Sequence, residues 1–103
     1  MGWERVAHAA DLPPGTARVV EAGGRRIALC HTADGAFHAI DDVCTHDGGP
    51  LDQGILDGNK IECPRHGARF DVVTGRALTL PAVRPVKTYA TRVTDGAVEV
   101  EAP

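Results

Sequence analysis

Within residues 44–66, CTHDGGPLDQGILDGNKIECPRH, two cysteines and two histidines form two compact pairs. Cys44 and His46 have one residue between them, Cys63 and His66 have two, and 16 residues separate the pairs. Thiolate and imidazole are soft or borderline donors, and four of them clustered in this way read as a metal site. A single zinc ion takes Cys2His2 sets, usually with two to four residues between paired ligands. One intervening residue is a tight chelate for one tetrahedral ion. Two metal ions relax it, because the sulfur can go to one and the imidazole to the other. The third cysteine, Cys30, lies mid-strand beside Ala28 and reads as an inert core thiol. An odd number of cysteines in a reducing compartment argues for ligands plus a spare thiol rather than disulfides. The chain has no serine, so a serine nucleophile is excluded.

Short strands must position these residues. Turn signals recur as EAGGR (21–25), TADGA (32–36), LDGNK (56–60), VTGR (73–76) and TDGAV (94–98). Asp-Gly and Gly-Gly supply the positive φ values of tight hairpins. Between them, AVEVE (97–101) alternates, with Val98 and Val100 on one face and Glu99 and Glu101 on the other. RRIALCH (25–31) sets Ile27 and Leu29 opposite Ala28 and Cys30, and KTYATRV (87–93) puts Tyr89, Thr91 and Val93 on one face. No long window holds a helical period, although AADL (9–12) suits a single turn. The pattern predicts one all-β antiparallel domain over residues 1–103. Residues 44–84, with Pro50, Pro64, Pro81 and six glycines, form an inserted subdomain on a β base made of 1–43 and 85–103.

Composition narrows the function classes. The net charge of −3 gives no basic footprint for nucleic acid. Nine arginines against two lysines reflect composition bias. No apolar run approaches the ~20 residues that cross a bilayer, and the N-terminal stretch lacks the apolar core of a signal peptide and a myristoylation pattern. A cytoplasmic monomer is expected, with neither nucleic acid nor membrane as partner. Aromatic residues are only 4 %, so the core is built from Val, Ala, Ile and Leu, and a metal centre would cross-link loops that packing alone could not hold.

The pattern C-x-H, a spacer of this length, then C-x-x-H resembles the signature of Rieske [2Fe–2S] proteins, in which two histidines replace two cysteines on one iron. FHAIDDVCTHDGGPL (37–51) resembles the entry into the first cluster loop of soluble bacterial Rieske ferredoxins. GARFDVVTGRALTLPAVRPVKTY (67–89) resembles their second loop, the following hairpin and the proline loop, and DG-x-V-x-V (95–100) resembles their ending. The resemblance implies the Rieske fold and one [2Fe–2S] cluster per chain. It also implies that Cys44 and Cys63 bind an inner iron and that His46 and His66 bind an outer one near the surface. Gly48, Gly49 and Gly67, also ordinary turn residues, would let backbone N–H groups approach the bridging sulfides.

Two ferric ions, two sulfides and two thiolates sum to zero, whereas four thiolates would start two charges lower. Reduction is therefore easier here, and Rieske potentials reach about −150 to +300 mV. High-potential relatives join the loops by a disulfide at positions matching Gly49 and Arg65, and place Ser and Tyr hydroxyls against cluster sulfurs at positions matching Ala68 and Phe70. At ~1 kcal/mol each, two missing hydroxyls lower the potential by roughly 90 mV, which implies the low end of the range. The potential is expected to be flat through neutral pH, because the outer histidines lose protons only above their oxidised-state pKa values.

The resemblance further implies a one-electron carrier, not an enzyme, passing electrons from a flavin-dependent reductase to a terminal oxygenase. Asp47, Pro50, Arg65 and Pro81 would frame the docking surface. The alternatives are a small subunit of assimilatory nitrite reductase and a zinc-bound interaction module. A complete oxygenase is not expected, because its mononuclear iron needs a two-His, one-carboxylate triad and no histidine follows His66. His8, His31 and His38 read as structural, and Asp41 and Asp42 as turn-forming or partner-facing.

Overall fold

Glycine-bearing turns fold the chain back on itself into antiparallel ladders. In the computed structural model, which describes residues 2–45, 48–65, 67–80 and 82–102, Gly23 and Gly24 take φ of 59° and 77° between β2 (Thr16–Ala22) and β3 (Arg25–His31). Asp95 and Gly96, at 52° and 78°, join β9 (Thr91–Thr94) to β10 (Ala97–Ala102). Two successive positive φ values match the right-handed twist of the flanking strands. β1 (Gly2–His8) precedes a 3-10 turn at Ala9–Asp11, where the sequence suits one turn. The remaining strands are β4 (Phe37–Asp41), β5 (Ile55–Asp57), β6 (Lys60–Glu62), β7 (Arg69–Asp71) and β8 (Thr88–Tyr89).

They form three antiparallel sheets, ordered β1-β10-β9, β2-β3-β4-β8 and β5-β6-β7. The third sheet falls wholly within residues 44–84. The second sheet is the central layer. Ile27, Leu29, Ala39 and Tyr89 pack with Val98 and Val100 of β10. Ala28, Cys30 and Ile40, on its other face, pack with Cys44, Leu51, Ile61, Cys63, Ala68 and Phe70. This double burial explains the unbroken apolar run IALC in β3, since a strand covered on both faces has no polar side to show. Ile27, Leu29 and Ile40 are fully buried, each contributing about 1.5–3 kcal/mol over an exposed side chain.

One predicted face does not exist. Tyr89, Thr91 and Val93 do not lie together, because the chain changes sheets at Ala90, with β8 beside β4 and β9 beside β10. Tyr89 is buried, while Val93 is 52 % exposed. Alternation in sequence fixes a face only while a strand stays in one ladder. His31 is structural: its Nδ1 donates to Leu12 O at 2.6 Å and its ring stacks on Phe37 with centroids 4.0 Å apart. Cys30 is fully buried, its thiol facing Ala28 O, and burial pushes its pKa up to about 12.

Tyr89 closes the central sheet chemically. Its hydroxyl donates to Asp41 Oδ1 at 2.5 Å, and Arg25 holds the other oxygen at 3.2 Å. Burial first, then this hydrogen bond and the Asp41 charge, push the phenol up to about 12 from 10. The unfolded chain releases the proton first, so the stability that Tyr89 contributes is complete below pH 10 and is lost as pH rises toward 12. It is the only tyrosine, so phenolate absorbance reports it alone. Spectrophotometric titration of the folded protein should give a midpoint near 12; an ordinary midpoint would contradict the Asp41 bond.

Candidate metal centre

Loops at the ends of different strands carry the two Cys–His pairs, yet their backbones close in the same way. The Cys44 N–H donates to Gly49 O at 2.7 Å, and Gly48 N–H donates to Cys44 O at 2.8 Å. In the second loop the Cys63 N–H donates to Ala68 O at 2.6 Å, and Gly67 N–H donates to Cys63 O at 3.1 Å. Each ring joins a cysteine to the fourth and fifth residues after it. Gly48 and Gly67 occupy equivalent places with φ of 77° and 75°. Among the described residues, chain neighbours aside, no atom lies within 4 Å of where a Cβ would sit on either glycine, so it is the left-handed backbone that asks for glycine. The unequal spacing of the sequence thus sits on two equal frames, with the histidine one place later in the second.

Both cysteine side chains are 99 % buried, in one apolar cluster with Leu51, Ala68 and Phe70. None of the three cysteines is in a disulfide. His46, His66, Asp47 and Pro81 lie outside the described residues. Pro50 and Arg65 are exposed beside the loops, Gly49 is buried and Gly67 half-buried. Ala68 and Phe70 are fully buried, Phe70 paired with Ile61 across β6 and β7. Among the described residues no group of three or more His, Cys, Asp or Glu side chains is placed to hold a metal ion.

Two glycines bring the parts together. A Cβ on Gly54 would lie 1.9 Å from Glu62 O, so only glycine lets the exit of the first loop run against the backbone just before Cys63. A Cβ on Gly75 would lie 2.1 Å from Val86 O, and φ there is 81°, so only glycine lets the β7 turn meet the proline loop. Gly75 O accepts from Val86 N–H at 2.7 Å. Thr45, between Cys44 and His46 in sequence, donates its hydroxyl to Arg84 O at 2.8 Å. Ala82 and Val86 are buried in the same cluster as the cysteines, whereas Leu80 and Val83 are 78 % and 76 % exposed.

Asp42 is neither partner-facing nor catalytic. It is 3 % exposed; its Oδ1 accepts from the N–H groups of Leu51 and Asp52 at 2.8 and 2.7 Å, and Arg26 approaches its Oδ2 at 3.3 Å. Burial, then the facing Asp52 carboxyl, hold its pKa above the usual carboxylate range. Thr45, Gly54 and Gly75 are the residues that sequence reasoning passed over, and Asp42 is one whose role it misread. The Asp-Asp before CTH and the glycine in VTGR were visible there, but only their partners reveal what they hold.

The family model for the Rieske [2Fe-2S] domain matches residues 2–90. The chain belongs to the Rieske family. It is 40 % identical over 91 residues to the ferredoxin component of naphthalene 1,2-dioxygenase/salicylate 5-hydroxylase systems of a Ralstonia species, covering 88 % of this chain and 86 % of that one. Its structure superposes on the ferredoxin of carbazole 1,9a-dioxygenase from Nocardioides aromaticivorans with a TM-score of 0.95 at 32 % identity, covering all of both chains. It is also similar, with a TM-score of 0.89 and 38 % identity over 96 % of this chain and 92 % of that one, to a chain solved in a complex of reduced oxygenase and oxidised ferredoxin of carbazole 1,9a-dioxygenase. The Rieske domain carries one [2Fe–2S] cluster per chain. The residues fit it: two cysteines on matching loops are buried in one apolar cluster, and the sequence sets a histidine close after each.

Gly75→Ala should unfold the proline loop from the β7 turn. A buried Cβ against a backbone oxygen, at a strained φ, costs about 3 kcal/mol or more. The melting temperature should fall by ten degrees or more, at about 4–8 °C per kcal/mol. A fall of only a degree or two in calorimetry would contradict the contact.

Proposed function

We propose that this protein is a one-electron carrier, the ferredoxin of a ring-hydroxylating or related oxygenase system, which receives electrons from a flavin-dependent reductase and delivers them to a terminal oxygenase. The carrying observation is the pair of matched loops, each placing one buried cysteine in the same apolar cluster, with a histidine two or three residues later in the sequence. We assign Cys44, His46, Cys63 and His66 as the ligands. When bound, the cluster takes up and releases one electron without a change in the protein's covalent structure.

The chain's own residues keep that electron accessible and the centre stable. Leu51, Ala68 and Phe70 exclude water around the cysteine sulfurs, where a dry setting strengthens every charge interaction. The two backbone rings hold the loops in place before any partner arrives. Leu80 and Val83, exposed on a loop whose Ala82 and Val86 are buried, extend the expected docking surface of Asp47, Pro50, Arg65 and Pro81 with aliphatic area. A stiff loop with an apolar tip loses little entropy on docking, which suits brief encounters. The partner is another protein, and no helix among the described residues is long and apolar enough to cross a membrane. We place the protein in the cytoplasm as a monomer.

Ala68 and Phe70 offer no hydroxyl to the cluster, so the potential lies at the low end of the Rieske range. Protein-film voltammetry should show a reversible one-electron wave there. A68S/F70Y should raise it by roughly 90 mV, on ~1 kcal/mol per added hydroxyl bond. A wave some hundreds of millivolts higher would point to a respiratory carrier. A colourless protein containing zinc and no acid-labile sulfide would refute electron transfer altogether.

A further inference from the structure

The two loops have the same internal frame but unequal support. The second springs from a hairpin: Glu62 pairs with Arg69 and Ile61 with Phe70, so a ladder holds both of its ends. The first is entered from β4, which ends at Asp41, and its exit through residues 48–54 belongs to no strand. A loop held at one end only would leave Cys44 free to shift on the exit side, yet Leu51 is fully buried with Cys44 in the shared core. Something must do for the first loop what β6 and β7 do for the second.

We propose that the Asp42 carboxyl replaces the missing strand and is the positioning residue of the first ligand loop. Its Oδ1 takes the N–H groups of two consecutive residues, Leu51 at 2.8 Å and Asp52 at 2.7 Å, as a ladder carbonyl on a neighbouring strand would take one. Asp42 is itself tied to β3, because its N–H donates to Arg26 O at 3.2 Å and the Arg26 guanidinium reaches its Oδ2 at 3.3 Å. The first loop is thereby closed onto the central sheet by a side chain. The closure encloses Cys44 and His46, and leaves Cys63 and His66 to the hairpin. Oδ1 is an acceptor whether or not the other oxygen carries a proton, so the closure needs no particular charge state. Gly54 completes the exit by lying against Glu62 O, which joins the side-chain closure to the hairpin of the second loop.

The inference rests on the ligand reading above, and its test separates the two. Hydrogen exchange at single-amide resolution on the iron-loaded protein should show Leu51 and Asp52 protected about as well as Val72, whose N–H donates to Asn59 O beside the hairpin at 2.8 Å. Asp42→Ala should speed exchange at Leu51 and Asp52 by about tenfold or more, through the loss of the acceptor for both N–H groups, and leave Val72 nearly unchanged. The same variant should bleach its visible cluster absorbance correspondingly faster under chelator. Asp42→Asn, which keeps an oxygen at Oδ1, should restore most of both properties. Unprotected Leu51 and Asp52 in the parent protein would overturn the proposal without any variant, even if Asp42→Ala fails to fold. Equal acceleration at Val72, or an Asn variant no better than Ala, would overturn it too. A parent protein with protected amides and no cluster absorbance would instead refute the ligand reading.

Discussion

Two cysteines are buried in one apolar cluster although they arrive on loops that have no regular structure. That constraint organises the molecule. Loops expose backbone polar groups, and burying such groups unpaired costs several kcal/mol each in an apolar medium. Here the groups nearest the sulfurs are paired inside each loop, by bonds from Cys44 and Cys63 to Gly49 and Ala68. Leu51, Ala68 and Phe70 then pack with the two cysteines in one buried cluster. Glycine at the fourth position of each ring is what lets the chain turn tightly enough.

The central sheet carries this arrangement. It faces the metal centre with Ala28, Cys30 and Ile40 and the base with Ile27, Leu29 and Ala39. In β3 the small residues, Ala28 and Cys30, stand on the side where loops crowd in and the larger Ile27 and Leu29 where another sheet packs, while β4 reverses the order with Ile40 and Ala39. β1 and β10, from the two ends of the chain, pair with each other, and β4 and β8, which flank the third sheet in sequence, pair through Ala39 with Tyr89 and Ile40 with Thr88. Asp41, fixed by Tyr89 and Arg25, and Asp42, fixed by Arg26, mark where regular ladder ends and the loop begins.

Much of this was legible in the chain. Hairpins showed through Asp-Gly and Gly-Gly because positive φ has few chemical solutions, and the kind of cofactor showed because thiolate and imidazole so spaced have few other uses. The all-β Rieske fold and the ferredoxin relationship followed from them and agree with the relatives. What stayed hidden depends on distant partners. KTYATRV reads as one alternating strand, and only the change of sheet at Ala90 separates Tyr89 from Val93. Asp42 reads as a turn residue, since nothing local says that residues 51 and 52 return to it. Gly75 reads as an ordinary turn until Val86 O is found where its Cβ would be.

The bond from the Thr45 hydroxyl to Arg84 O fastens the proline loop to the first loop without a covalent link, and none of the three cysteines is in a disulfide. A disulfide opens only by thiol exchange, on a scale of minutes to hours when uncatalysed, whereas a hydrogen-bonded latch opens in thermal motion on a scale of microseconds to seconds. Iron and sulfide can therefore be installed, and a damaged centre replaced, without any change in the oxidation state of the polypeptide. The fold gives up permanence at this seam and gains one that opens and closes without redox chemistry.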